Sequence, residues 1–195
     1  ALYCACVAGN TSKVRLLCEK GARLDFLTVE KMSVAQGALS QKHYQVVAEL
    51  FKHRHSKLDI NNQDIQGRCL LHLAVEQDNL QLVQYLVKSG ANVNLLDVQR
   101  QNPASLAARA RNYNILKFLL EHGARLDTQN SSQSGLPLHT FAQEGCSDIV
   151  QILINQGHQI DSLNKDQQTV LHVALDAQKW DTSICLLRNR AKSNL

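Results

Sequence analysis

Apolar residues recur along the chain in pairs of short segments with helical spacing. Residues 69–77 (CLLHLAVEQ) form one short apolar segment. Residues 80–89 (LQLVQYLVKS) place four apolar side chains three or four positions apart, Leu82, Val83, Leu86 and Val87. This spacing is typical of an amphipathic helix, and the following Gly90 suits the left-handed position after a helix. The pattern predicts two helices joined by a tight turn.

The same plan returns at a fixed period along the whole chain. The phrase GARLD at 21–25 recurs at 123–127, and related phrases, spaced 33 to 36 residues apart, are KLDIN at 57–61, GANVN at 90–94 and GHQID at 157–161. A Leu-His pair ends on the same grid at His72, His139 and His172. Such a period indicates a repeat array. We predict an all-α solenoid of about six stacked helix-turn-helix repeats with short hairpin loops, at 1–26, 27–62, 63–96, 97–129, 130–163 and 164–195.

These markers resemble the ankyrin repeat, whose pattern is D-x-x-G-x-T-P-L-H-x-A, a short second helix and G-A-D-V-N. The third repeat matches best, through Asp64, Gly67, Leu71, His72, Ala74, Gly90, Ala91, Val93 and Asn94. The resemblance covers essentially the whole chain and implies a single ankyrin-repeat array. In that family the repeated histidine is structural and bonds to the backbone of the neighbouring loop.

Several repeats depart from the pattern. The second, with a first helix expected over Met32–Ser40, lacks the T-P-L-H phrase and has about three extra residues near KHRHS at 52–56. In the sixth, Arg190 replaces the glycine, and Thr182 and Ser183 replace apolar residues. The first repeat begins inside the motif at Ala1, so we expect a fragment of a longer protein.

Composition excludes several classes of protein. The net charge of +4 is modest, and a dedicated nucleic-acid binder needs a strongly basic face. No apolar run approaches the roughly 20 residues of a membrane span, so we expect no direct membrane insertion. The six cysteines are dispersed without a C-x-x-C pair, which indicates a reduced cytoplasmic protein.

Candidate chemistry is sparse. Cys146 and His139 lie near one another as a nucleophile and base do, but no third group orients them. The His53-Arg54-His55 insertion suits a basic contact with an acidic partner better than a metal site. Asn94 matches the loop asparagine hydroxylated in many ankyrin proteins, although a loop-stabilising role is the preferred interpretation. With no phosphate-binding loop in the sequence either, we expect no enzyme activity, cofactor, metal or small-molecule substrate.

The resemblance implies a protein-binding module, a scaffold or adaptor, that contacts a partner through its concave face and loop tips, formed by variable hairpin and first-helix residues. By register these residues are Gln66, Arg68, Glu76, Gln77, Gln99, Gln101, Arg109, Gln133, Gln143, Glu144 and Asp176. We expect the largest contributions from Arg68, Arg109, Gln101 and Glu76, and no loss of thermal stability when Arg68 and Arg109 are replaced. The alternative is a targeting or regulatory region of a larger enzyme or bacterial effector.

Overall fold

The regular secondary structure of the chain is helical wherever it is described. The computed structural model describes residues 1–52, 58–126 and 136–192. Its helices are α1 (Leu2–Val7), α2 (Thr11–Glu19), α3 (Val34–Ser40), α4 (Tyr44–Lys52), α5 (Leu70–Glu76), α6 (Leu80–Lys88), α7 (Pro103–Arg109), α8 (Tyr113–Glu121), α9 (Pro137–Glu144), α10 (Ser147–Asn155), α11 (Val170–Asp176) and α12 (Trp180–Arg188). Within these ranges strand pairing is limited to two isolated bridges, Leu27 with Ser33 and Leu163 with Thr169. The all-α prediction and its helix pairs are therefore confirmed, while the repeat boundaries stay a prediction.

Polar side chains fix where many of the helices begin. A side-chain oxygen accepts a hydrogen bond from the backbone N–H three residues on at Asn10, Ser33, Asn79, Asn102 and Thr169. Such caps typically contribute about 1 kcal/mol each. The predicted start of the second repeat's first helix at Met32 was two residues early, because Ser33 is its cap and α3 begins at Val34.

Left-handed residues follow five of the second helices in the described part of the chain. This position is occupied by Gly21, Gly90, Gly123, Gly157 and Arg190, all with positive φ. Only glycine adopts this conformation without a steric cost. Arg190 nevertheless holds φ at 66°, so the sixth repeat keeps the turn despite lacking the glycine.

The chain forms two compact units, residues 1–115 and 116–195, with the boundary inside α8. In the first unit α1, α3, α5 and α7 pack in series, and α2 packs against α4. In the second unit α9 packs against α11, and α10 against α12. None of the described helices has the length and apolar composition of a membrane-spanning segment.

The core of each unit is aliphatic and draws on both helices of a pair. Leu39, Leu50, Leu71 and Leu86 are fully buried in the first unit. In the second unit the core includes Leu116, Leu119, Leu138, Leu153 and Leu186. Leu24, Val93 and Leu126, which lie in the loops after second helices, are also buried.

The two polar residues of α12 that replace apolar residues are buried as well. Ser183 Oγ donates to the Lys179 carbonyl at 3.0 Å. Thr182 Oγ1 has no hydrogen-bond partner in the described part of the chain. A buried hydroxyl without a partner costs about 1–3 kcal/mol, so Thr182 is a weak point of the second unit.

Candidate partner-binding surface

Each described repeat boundary carries a five-residue hairpin of one geometry. The hairpins are Thr28–Met32, Asp64–Arg68, Asp97–Gln101 and Asn164–Gln168. In each, the first N–H donates to the fifth carbonyl and the fourth N–H to the first carbonyl, at 2.9–3.1 Å. The fourth residue always has positive φ, at Lys31, Gly67, Arg100 and Gln167. The hairpins therefore place equivalent side chains at equivalent points.

An Asp or Asn side chain locks three of these hairpins. Asp64 Oδ1 accepts from the N–H groups of Gln66 and Arg68 at 2.9 and 2.8 Å. Asp97 and Asn164 make the same two bonds in their hairpins. Because the first residue satisfies the turn, its identity is explained by folding.

In each of these three hairpins, a side chain from the first helix of the preceding repeat also forms a hydrogen bond to the hairpin backbone. It contacts the carbonyl of the fifth residue in three places, Gln36 with Arg68, His72 with Gln101 and His139 with Gln168, at 2.7, 3.1 and 3.1 Å. A carbonyl only accepts, so the histidine Nε2 atoms carry the proton. The structural role predicted for the repeated histidine is thus seen for His72 and His139.

Gln36 fills the histidine position of the second repeat, which sequence comparison of the repeats missed. Its Oε1 accepts from the Ser33 N–H while its Nε2 donates to the Arg68 carbonyl of the next hairpin. One side-chain amide therefore provides the acceptor and the donor that the two ring nitrogens of a neutral histidine offer. The Ser-x-x-Gln spacing of a capping box was the available signal. In the first repeat Tyr3 takes the equivalent place. A Cβ added to Gly37 would lie only 2.6 Å from the Tyr3 ring, so the ring packs directly against this glycine.

Burial favours the uncharged forms of these histidines and of the thiols of Cys69 and Cys146. It lowers the pKa of His72, against the opposing hydrogen bond to Gln101, and it lowers the pKa of His139 as well. Burial also raises the pKa of Cys69, whose Sγ lies 3.0 Å from His72 Nδ1, and of Cys146. Neither thiol is activated as a nucleophile, because a nucleophilic cysteine needs a lowered pKa.

Arg68 is less available than its sequence position implied. Its guanidinium contacts the buried Asp64 carboxylate at 3.0 Å and Glu76 at 3.5 Å. Replacing Arg68 therefore disturbs the hairpin, and the expectation that its loss leaves thermal stability unchanged does not fit this ion pair.

The other predicted contact residues divide by exposure. Six are exposed on hairpins or near the ends of first helices, Gln66, Glu76, Gln99, Arg109, Gln143 and Asp176. Four are partly buried, Arg68, Gln77, Gln101 and Glu144. Gln133 and the His53-Arg54-His55 insertion lie outside the described residues. The contact role of all of them stays a prediction.

Some of these polar side chains also serve packing. Gln77 Nε2 donates to the Leu39 carbonyl at 2.7 Å and so ties α5 to α3. Asp176 accepts from Gln168 Nε2 at 2.8 Å. Asn94 is exposed, and its backbone N–H donates to Asn92 Oδ1 at 2.9 Å, so the side chain that stabilises this loop here is that of Asn92, and the role of the Asn94 side chain stays a prediction. Among the described residues, no three His, Cys, Asp or Glu side chains are grouped to hold a metal.

Comparison with known proteins matches this geometry to one family. The family described as "Ankyrin repeats (3 copies)" matches residues 36–130, and "Ankyrin repeat" matches residues 136–165. The chain belongs to the ankyrin-repeat family. The ankyrin resemblance predicted from sequence is thereby confirmed.

Relatives within the ankyrin family are diverse. The putative palmitoyltransferase ZDHHC13 of Danio rerio is 29% identical over 175 residues, which covers 89% of this chain and 27% of that protein. B-cell lymphoma 3 protein of Homo sapiens is 33% identical over 136 residues, covering 68% of this chain and 29% of that protein. The chain thus spans less than a third of the length of either relative.

A solved structure supports the same assignment. The ankyrin repeat domain of Bcl-3 superposes with a TM-score of 0.70 at 26% identity, covering 96% of this chain and 81% of that one. This likeness covers more of the chain than the two family matches do.

Proposed function

We propose that the chain is a protein–protein interaction module that binds a partner through its hairpins and the adjoining ends of its first helices, as a scaffold or adaptor. The observation that supports this most is a set of exposed polar side chains that folding does not require, on a frame that folding fixes. Gln66, Gln99, Arg109 and Gln143 are exposed. The turns below them are held by the buried Asp64 and His72.

The fixed frame matters for affinity. Each described hairpin is closed by two backbone bonds, and three of them are held by a side chain of the preceding helix. A surface that is ordered before binding loses less conformational entropy in the complex. We infer that affinity comes from this preorganisation together with a limited number of polar contacts.

The proposed partner is another protein. The mixture of amide and charged side chains fits a polar, hydrated interface of moderate affinity. The net charge of +4 does not provide the basic face that nucleic acid attracts. All six cysteines are free thiols, which supports a cytoplasmic location within this proposal.

Affinity capture with two matched triple variants tests the proposed surface. The surface variant is Gln66→Ala/Gln99→Ala/Arg109→Ala, with Arg68 left in place because it holds Asp64. The control variant is Gln45→Ala/Gln81→Ala/Lys88→Ala, at exposed positions of the second helices.

We expect proteins captured by the wild-type chain to be retained by the control variant and lost from the surface variant. Thermal denaturation of all three chains should coincide, because only exposed side chains change. Equal capture by both variants would contradict the proposed surface.

A second candidate function is the targeting or regulatory region of a larger enzyme. It is favoured by the relatives, because the chain spans 27% of a putative palmitoyltransferase and 12% of the tyrosine-protein kinase Shark of Drosophila melanogaster. Reading the gene on both sides of this segment tests it. A catalytic domain in the same reading frame supports this function, and stop codons without one refute it.

A further inference from the structure

Five exposed aliphatic side chains cluster on the hairpins of the first unit. At the second hairpin position Val29 is fully exposed, Val98 is 67% exposed and Ile65 is 50% exposed. Leu27 and Leu96, each directly before a hairpin, are 44% and 37% exposed. We call these five residues the apolar ridge.

Backbone hydrogen bonds between hairpins make the ridge continuous. The Ile65 N–H donates to the Glu30 carbonyl at 3.1 Å, and the Val98 N–H donates to the Gln66 carbonyl at 2.9 Å. The second residue of one hairpin is thus bonded to the third residue of the hairpin before it. The three second-position side chains therefore follow one another along a row of fixed register.

Close packing holds the second and third hairpins at this distance. A Cβ on Gly67 would lie 3.0 Å from Asp97 Cα and from Val98 N, tighter than an ordinary Cβ contact, so glycine favours this approach. The side-chain amide of Gln63 donates to the Leu96 carbonyl at 2.9 Å and joins the same two segments. The ridge is a preformed surface.

Folding does not explain why the ridge is apolar. The hairpin Asn164–Gln168 of the second unit has the same backbone bonds, yet its second position is the exposed Lys165. A charged side chain is therefore compatible with this turn. Adjoining exposed aliphatic residues on a soluble repeat are typical of an interaction site.

The ridge has no net charge to attract an ionic partner. Each of its three hairpins contains one acidic and one basic residue, Glu30 with Lys31, Asp64 with Arg68 and Asp97 with Arg100. Anionic membrane surfaces attract clusters of basic residues, and such a cluster is not found in these hairpins. Charge complementarity therefore favours a partner surface that is itself apolar and close to neutral.

We propose that the apolar ridge is the docking site for a segment of a partner protein that presents aliphatic or aromatic side chains. This inference rests on the proposed function and assigns the chemistry of one part of the partner. The partner's apolar side chains pack against Val29, Ile65 and Val98. Because burial of apolar surface drives the contact, binding depends little on salt.

Selection from a random dodecapeptide library on the immobilised wild-type chain tests this. The ridge variant is Val29→Lys/Ile65→Lys/Val98→Lys, with lysine chosen because Lys165 occupies this hairpin position in the second unit. The matched control adds three lysines elsewhere, Ser12→Lys/Gln45→Lys/Gln81→Lys.

We expect enriched peptides to carry two or more aliphatic or aromatic residues. They should bind the control like the wild type and the ridge variant about tenfold or more weakly, with under about twofold change between low and high salt.

Several results overturn the inference. They are enrichment of charged peptides with strongly salt-dependent binding, equal binding to the ridge variant, and absence of enrichment. If the wild type dimerises in sedimentation and the ridge variant does not, the ridge binds a second copy of the chain. If the wild type cosediments with phosphatidylcholine vesicles and the ridge variant does not, the ridge binds lipid. Each also contradicts the proposal.

Two further comparisons separate the causes of a failure. If the lysine variant unfolds, the variant Val29→Ser/Ile65→Ser/Val98→Ser replaces it, with the same expected loss. If no peptide binds the ridge but the Gln66, Gln99 and Arg109 variant loses its captured proteins, only the ridge inference fails and the proposed function stands.

Discussion

At the scale of single residues, the hairpins require one chemistry at one buried position rather than one amino acid. The side chain needs an acceptor for the helix cap and a donor for the next hairpin. His72 provides these as Nδ1 and Nε2, at 3.2 Å from Cys69 N and 3.1 Å from the Gln101 carbonyl. Gln36 provides them as Oε1 and Nε2. The two side chains should be interchangeable when neutral.

This equivalence predicts the effect of His72→Gln. At pH 7 the variant should unfold with a free energy within about 1 kcal/mol of the wild type, because both hydrogen bonds are kept. The folded-state pKa of His72 is lowered, so its stabilising contribution is complete above about pH 6.5 and is lost as the pH falls through the folded-state value. The variant should lose less stability than the wild type between pH 7 and 5.

Urea denaturation at several pH values checks this. His122→Gln provides the control for the same substitution at an exposed position that holds no hairpin. Parallel curves for His72→Gln and the wild type would show that His72 is not held neutral by the fold.

Thr182 gives a second prediction at this scale. Thr182→Val keeps the side-chain volume and removes a buried hydroxyl without a partner, so it should stabilise the chain by about 1 kcal/mol. Thr169→Val is the matched control, because Thr169 Oγ1 accepts from the His172 N–H and its loss should destabilise by about 1 kcal/mol. Differential scanning calorimetry gives both values, and equal effects of the two substitutions would contradict this explanation.

At the scale of elements, a buried carboxylate joins two second helices. Glu49 of α4 is nearly buried and contacts Arg15 of α2 at 2.7 Å and Lys52 at 3.1 Å. The hydrogen bond from Arg15, followed by that from Lys52, lowers the pKa of Glu49 to about 2. The charged form is therefore built into the packing of α2 against α4.

Acid unfolding should show this contribution. A carboxylate with a lowered folded-state pKa stabilises above its ordinary pKa of about 4.3 and loses the effect as the pH falls towards its folded-state value. Glu49→Gln should destabilise by about 1–3 kcal/mol at pH 7, and its difference from the wild type should narrow as the pH falls from about 4.5 towards 2.

Unfolding in urea at pH 7 and at pH 3 measures that difference. Glu19→Gln removes an exposed charge from the end of α2 and should change stability little at either pH. A constant deficit of Glu49→Gln at both pH values would mean that the ion pairs do not account for it.

At the scale of the whole chain, periodicity predicted the helix pairs and most of the turns. Gly90 was visible as a residue type at a fixed spacing. The polar positions were harder, because spacing does not tell which way a side chain is held. The repeat pattern placed Arg68 and Gln77 on the surface. In the structure Arg68 forms an ion pair with Asp64, and the Gln77 side chain donates to the Leu39 carbonyl.

The candidate site was predictable only as a register. Gln99 and Arg109 are exposed where the repeat pattern placed them. The repeat register places Ile65 and Val98 at equivalent hairpin positions, but it did not predict the apolar ridge as one surface, because the backbone bonds that join the hairpins are seen only in the structure. Contacts between repeats therefore carry the information that the sequence pattern lacks.

The central claim is that the exposed polar side chains of the hairpins and first helices bind a protein partner. The most direct test is the dissociation constant of a captured partner for the wild type, for Gln66→Ala/Gln99→Ala/Arg109→Ala and for Gln45→Ala/Gln81→Ala/Lys88→Ala, measured by titration calorimetry. We predict about a tenfold or greater loss for the first variant, corresponding to about 1.4 kcal/mol or more, and no loss for the second. Equal dissociation constants for all three chains would contradict the account.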